Sequence, residues 1–126
     1  MPLAKTARTL IASVSNAAAG TTRGTIDLET TYGGTLTMKI TNGATGPTVQ
    51  CEGRVLIAHN ATLPAAASAG ADWKTLFVFG GGVAVNAITE MSFVVDASVM
   101  ALEVEMTGNT GQAVTVEAGL SELSTV

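Results

Sequence analysis

Cysteine, histidine and aromatic side chains are scarce in this sequence. Its 126 residues include one cysteine, Cys51, and one histidine, His59. An intramolecular disulfide is therefore impossible, which suits assembly in a reducing cytoplasm, and a structural zinc site lacks its usual ligands. Aromatic residues make up only 4% of the chain, which leaves little for stacking on bases or sugars. We expect no metal and no cofactor.

Long apolar runs are also missing. No stretch reaches the roughly 18 residues that a membrane-spanning helix needs. The apolar stretch that follows Lys5 and Arg8 is interrupted by Ser13, Ser15 and Asn16, so it does not resemble the core of a signal peptide. We predict a mature protein without a membrane partner.

Charge is sparse and unevenly placed. Charged residues make up 13% of the chain, against about 25% in typical domains. The net charge of −4 argues against general nucleic-acid binding, which needs basic side chains to neutralise phosphates. All the Lys and Arg residues lie within residues 1–74, whereas every charged residue of 75–126 is acidic. A surface this poor in charge favours a protein partner that covers part of it.

Apolar and polar residues alternate with period two in much of the chain, as in Thr35–Thr41 and Val114–Ala118. This period places one face of a β-strand inward and the other outward. Turn residues such as Asn42-Gly43 separate the alternating runs. We place strands near 6–14, 23–30, 34–41, 48–58, 74–79, 88–95, 99–107 and 113–121.

About eight short strands predict an all-β, single-domain β-sandwich that resembles a jelly roll and spans 1–126. We expect hairpin or meander connections between the last three strands. Residues 1–5 fit no strand, so they are predicted to form a flexible N-terminal arm.

Two segments break the alternation. Residues 60–71 are rich in Ala, Ser and Gly, and a loop of this length is often functional. Leu76–Phe79 is apolar on both faces, so either both faces are buried or one is kept for a partner. If the strand begins at Trp73, then Trp73 and Phe77 share a face and pack in the core.

No set of residues predicts catalysis. His59 has no G-x-S-x-G elbow to serve as its partner, and Cys51 fits a buried strand position. The acid pairs Glu103/Glu105 and Asp27/Glu29 could act as a glycosidase pair or contact a cation, but such spacing usually marks the wet face of a strand. Gly80–Gly82 lacks the Lys and the helix of a phosphate-binding loop. We expect no enzyme activity.

Several stretches together resemble small structural proteins of tailed bacteriophages and prophages. They are Ala7–Ser13, Thr22–Leu28, Thr35–Gly43, Gly70–Lys74 and Thr107–Val114. The resemblance spans roughly residues 6 to 122 and carries no catalytic residues. It implies a β-sandwich of the virion head, in particular a decoration or cement protein that binds over the major capsid subunits.

Two other functions remain open at this point. The chain could be a tail or baseplate component, such as a tube subunit or fibre adaptor, or a sugar-binding sandwich with Trp73 and Tyr32 as platforms. For a virion protein, the expected partners are the major capsid protein and further copies of the chain, as a dimer or trimer. The candidate interface residues are Pro2, Lys5, Arg8, Leu63, Pro64, Leu76 and Val78.

Overall fold

A computed structural model describes residues 3–66 and 72–125, and all regular elements among them are strands. The strands are β1 (Ala4–Asn16), β2 (Thr21–Asp27), β3 (Gly34–Asn42), β4 (Glu52–Ala58), β5 (Lys74–Gly80), β6 (Ile88–Val95), β7 (Ala101–Thr107) and β8 (Val114–Thr125). In β3 the alternation has its expected effect, since Leu36 and Ile40 are buried while Thr35 and Thr37 are exposed. No helix long and apolar enough to cross a membrane occurs in these two ranges.

The strand pairing follows the path of one long hairpin. β1 pairs with β8, β2 with β7, β3 with β6 and β4 with β5, all antiparallel, so the tip of the hairpin lies between β4 and β5. Further pairing of β3 with β8 and of β4 with β7 rolls the hairpin up. The result is sheet A, in the order β1-β8-β3-β6, and sheet B, in the order β2-β7-β4-β5. This arrangement is a jelly roll, and it confirms the predicted fold class.

One apolar core fills the space between the sheets. Leu36 and Ile40 from sheet A and Val55, Leu102 and Val104 from sheet B all have no exposed surface. Fully burying a side chain of this size stabilises a fold by roughly 1.5–3 kcal/mol. Because both sheets contribute their inward faces, neither sheet is stable as a separate layer.

The predicted connection of the last three strands is wrong. β6 pairs with β3, whereas β7 lies between β2 and β4 in the other sheet. β8 returns to sheet A, between β1 and β3. The alternation of a strand specifies its inward face but not its neighbour, so a turn that crosses between sheets looks like a hairpin turn in the sequence.

A β-bulge in β5 moves Trp73 away from the core. Val55 is opposite Phe77, but the next residue, Leu56, is opposite Thr75, so β5 holds one extra residue. The extra residue reverses the side-chain phase. Phe77 therefore packs in the main core, whereas Trp73 packs on the outer side of sheet B with Leu56 and Ala58. The prediction that Trp73 and Phe77 share a face is wrong.

Several strand ends also differ from the expectation, among them the starts of β1 and β4. β1 begins at Ala4, which is opposite Thr125, and Lys5 is opposite Leu123. These two residues therefore belong to sheet A rather than to an N-terminal arm. β4 begins only at Glu52, because the residues from position 48 form a loop.

The hairpin path brings the basic half of the chain against the acidic half. Arg23 Nε lies 3.1 Å from Glu105 Oε2 across β2 and β7, and Lys39 Nζ lies 3.7 Å from Glu117 Oε1 across β3 and β8. The charge asymmetry along the sequence is thus largely neutralised in space. Exposed pairs of this kind contribute roughly 0–1 kcal/mol each.

Candidate protein-binding surfaces

The N-terminal candidates lie on or beside β1. Pro2 lies outside the described residues, and Lys5 is exposed at the edge of sheet A. Arg8 Nε donates a hydrogen bond to Glu122 Oε1 at 3.2 Å, and Glu122 is only 1% exposed. The Arg8 guanidinium therefore neutralises a buried acid of its own chain, and this ion pair is part of the fold.

The loop between β4 and β5 supplies two further candidates. Leu63 is 40% exposed, and Pro64 is half-buried. Trp73 Nε1 donates a hydrogen bond to the Ala65 carbonyl at 3.0 Å, which fixes this part of the loop near the outer side of sheet B. Residues 67–71 of the predicted loop lie outside the described residues. Trp73 itself is buried, so its ring does not form a platform for a sugar.

Leu76 and Val78 project from the outer side of β5. They are 42% and 44% exposed, while Phe79 of the same strand is 8% exposed and packs in the core. The Phe77 ring stacks on Phe93 with centroids 5.6 Å apart, so β5 and β6 meet along one side of the sandwich. One face of the Leu76–Phe79 segment is thus buried and the other is open to solvent.

A larger surface was not anticipated from the sequence. Four loops, 17–20, 43–51, 81–87 and 108–113, contain no Asp, Glu, Lys, Arg or His. They connect β1 to β2, β3 to β4, β5 to β6 and β7 to β8, so they all lie at the same end of the jelly roll. We call this surface the charge-free end. The loops at the opposite end carry charged residues such as Glu29, Asp72 and Asp96.

Hydrogen bonds join the four loops into one surface. The Ala19 N–H donates to the Asn109 carbonyl at 2.8 Å, and the Thr48 N–H donates to the Thr110 carbonyl at 2.8 Å. The Asn86 N–H in turn donates to the Gly43 carbonyl at 2.9 Å. Each loop is therefore attached to a neighbour, so the surface has a defined shape.

The charge-free end exposes apolar side chains to solvent. Val49, Val83 and Val85 are 52%, 53% and 58% exposed. Each lies in a loop whose sequence is that of an ordinary turn, so no single loop predicts an exposed apolar surface. The signal that would have found them is the absence of charge in four loops that share one end.

The acidic candidates have structural partners. Glu103 has no exposed surface and accepts a hydrogen bond from Thr25 Oγ1 at 3.2 Å, so it does not lie on a wet face. The Asp27 carboxylate accepts the Glu29 N–H at 2.9 Å, as a turn would require. No three His, Cys, Asp or Glu residues come together as a metal site within 3–66 and 72–125.

Cys51 is buried, and its burial disfavours ionisation of the thiol. Burial raises the pKa of its thiol from 9.0 to about 11, a shift that the Thr107 backbone hydrogen bond opposes and the Glu52 carboxylate supports. A thiol with this pKa is a poor nucleophile at neutral pH. The seven residues of β4 separate Cys51 from His59, and at about 3.3 Å per residue that is too far for a nucleophile–base pair.

The outer face of sheet A forms a shallow groove of about 620 Å³. Small and hydroxyl side chains line most of it, among them Thr9, Thr37, Ser92 and Gly119. This face has no aromatic side chain at the groove, and it offers hydroxyl groups together with the charged side chains of Lys39, Glu90 and Glu117 to a ligand. A second groove of about 570 Å³ lies at the end of the sheet beside Tyr32, which is 45% exposed.

Comparison with known proteins gives a likeness of fold. No family model and no curated protein matches the sequence. A structure of infectious bursal disease virus, Gx strain, is similar with a TM-score of 0.56 and 12% identity over 97% of this chain. The match covers 32% of the viral chain, so this protein spans about a third of its length.

Two further structures are similar at lower TM-scores. A family 16 carbohydrate-binding module gives 0.47 at 8% identity, over 84% of this chain and 71% of that one. The SPBc2 prophage-derived protein YomS gives 0.43 at 18% identity, over 95% of each chain. At these identities the likeness concerns the fold alone.

Proposed function

We propose that this chain is a structural protein of a tailed bacteriophage virion and that it decorates the head by binding over the major capsid subunits. The observation that carries this proposal is the charge-free end. Val49, Val83 and Val85 are exposed there on loops that hydrogen bonds hold in place. A contact with another folded protein at this surface requires no charged side chain to be desolvated.

The fold supports a virion role. The jelly roll is an architecture of viral capsid and lectin domains, and the similar structure with a TM-score of 0.56 comes from a virus. The sequence resemblance to tailed-phage proteins supports the same conclusion. A small rigid body of this kind stabilises a shell when many copies each make a modest contact.

The chemistry of the described residues supports a binding role rather than catalysis. Cys51 is buried with a raised thiol pKa, and the whole of β4 lies between it and His59. We therefore propose a protein without enzyme activity or cofactor, made in the host cytoplasm and then carried on the capsid surface. We further propose that it reaches this surface by binding the major capsid protein.

The test is attachment to heads that lack this protein. We expect the Val83→Asp/Val85→Asp variant to bind at least about tenfold more weakly than the wild type, because the apolar contact would have to bury two carboxylates. Leu3→Asp is the matched control, since Leu3 is 58% exposed just before the start of β1, at the opposite end from the charge-free end. The wild-type affinity should change little with salt, because the proposed contact is uncharged.

A second variant separates the two ends of the molecule. Leu63→Asp changes an apolar residue at the opposite end, which is 40% exposed. If Leu63→Asp weakens attachment and the double valine variant does not, docking through the charge-free end is wrong. Electron microscopy of particles labelled with an antibody to this chain tests the location. Label on tails would identify a tail component, and binding to glycans but not to particles would identify a sugar-binding protein.

A further inference from the structure

Strand β6 has one row of backbone groups that faces no other strand within residues 3–66 and 72–125. It is the last strand of sheet A, paired with β3 alone, from Gly34↔Val95 to Thr41↔Ile88 without a register shift. The Asn42 N–H donates to the Ala87 carbonyl at 2.9 Å, which fixes the phase of the ladder. Because antiparallel partners alternate, the N–H and C=O groups of Ile88 and every second residue up to Val94 point to the free edge.

The other edge strands are protected from strand addition. β1 has three register shifts along its pairing with β8, and β5 has the bulge beside Leu56. β2 lies against β1, so closely that a Cβ atom on Gly24 would overlap the Leu10 carbonyl. Bulges and covered edges are the usual devices against edge-to-edge pairing. β6 shows neither in the described part of the chain.

The outward side chains of β6 are apolar at both ends of the strand. Ile88 is 58% exposed and Val94 is 76% exposed, the highest value among the large apolar side chains that the structure describes. Between them lie Glu90 and Ser92, which are also exposed. The strand is thus nearly symmetric about Met91, with an apolar residue three positions away on either side.

We propose that two copies of this chain form a two-fold dimer by antiparallel pairing of β6 with β6, centred on Met91. Pairing about Met91 places Ile88 of one copy opposite Val94 of the second copy, and Glu90 opposite Ser92, so that side chains on one face lie opposite each other. This register makes about eight backbone hydrogen bonds from groups that are otherwise open to water. It also joins the two copies of sheet A into one continuous sheet.

The charges of the strand favour this occupant and this register. Glu90 is the only charged residue of β6. Pairing about Met91 places it opposite Ser92 of the second copy rather than opposite the Glu90 of that copy. Pairing about Ser92 would instead place Glu90 opposite Val94, so that a carboxylate would face an apolar side chain. A self-complementary strand of this kind fits an isologous contact between identical chains. The inference concerns the isolated protein, so it does not rest on the proposed capsid role.

A proline at the free edge tests the pairing. Ser92→Pro removes an N–H that the monomer does not use, and proline is tolerated on edge strands with this orientation. We expect the wild type to be a dimer at micromolar concentration by light scattering, and Ser92→Pro to be a monomer. Ser92→Thr keeps the N–H and should remain a dimer. Circular dichroism reports whether each variant keeps its strand content.

A pair of double variants tests the register and does not depend on proline. Ile88→Lys/Val94→Lys places like charges opposite each other twice, whereas Ile88→Glu/Val94→Lys places opposite charges there. We expect dissociation constants that differ by at least about tenfold, with the Glu/Lys variant as the tighter dimer. The dimer proposal is overturned by a monomeric wild type, by a Lys/Lys variant that dimerises as tightly as the wild type, or by equal affinities of the two double variants.

Discussion

Asn16 Nδ2 lies 2.6 Å from Asn109 Oδ1, and both side chains are buried. Asn109 Nδ2 also donates to the Asn16 carbonyl at 3.2 Å and to the Gln112 carbonyl at 3.0 Å. This amide network joins the end of β1 to the loop between β7 and β8. The charge-free end is therefore organised by neutral hydrogen bonds, which explains how four loops keep a defined shape without ion pairs.

Replacement of Asn109 by Ala should destabilise the fold by about 2 kcal/mol, because the Asn16 side-chain amide and three backbone carbonyls would lose a hydrogen-bond partner. Urea denaturation measures this change. Asn60→Ala is the control, since Asn60 is exposed and its bond to Asp72 lies at the surface. A loss below about 0.5 kcal/mol at Asn109 would contradict the buried network.

Gly24→Ala should be among the most disruptive single-methyl changes in the chain. Gly24 is buried in β2, and an added Cβ would overlap the backbone of Leu10 in β1, which cannot move without separating the edge strands. We expect a loss of at least about 1–3 kcal/mol in thermal or urea unfolding. Gly43→Ala, where a Cβ meets only the Thr45 carbonyl at 4.0 Å, should have a much smaller effect. Similar losses at both positions would argue against the close β1–β2 contact.

The stability of the protein should fall at alkaline pH through Cys51. The folded pKa of the thiol is raised to about 11 from an ordinary 9.0, so the unfolded chain releases its proton first. The free energy of unfolding contributed by the thiol is therefore full below pH 9 and declines as pH rises toward about 11. Urea denaturation across this range measures the decline. Cys51→Ala removes the thiol while other groups titrate unchanged, and an identical decline in that variant would exclude Cys51 as the cause.

Removal of His59 should leave the proposed attachment to capsids intact. His59 is exposed after β4, and no nucleophile or metal site is formed around it in the described ranges. We expect His59→Ala to attach to capsids with wild-type affinity, and the double change with Cys51→Ser to do the same at some cost in stability. Loss of attachment by His59→Ala at unchanged stability would show that His59 belongs to a binding site.

The sequence by itself determined that the chain forms about eight strands and, for strands such as β3, which face is buried. Period-two alternation is a local property of the backbone, so Leu36 and Ile40 could be assigned inward before any partner was known. The absence of a disulfide and of a zinc ligand set also followed from composition alone. The boundary of β6 at 88–95 was predicted as the structure has it.

Only the tertiary structure decided the neighbours of each strand, and with them every surface that could bind a partner. The β5 bulge moved Trp73 to the outer side of sheet B, because one extra residue reverses the side-chain phase without any mark in the alternation. The charge-free end exists because the hairpin path places four separate loops together, and the open edge of β6 exists because β3 has its other side taken by β8. Alternation of apolar and polar residues determines which face of a strand is buried. The pairing of strands that lie far apart in the sequence depends instead on how the two sheets together bury one shared core.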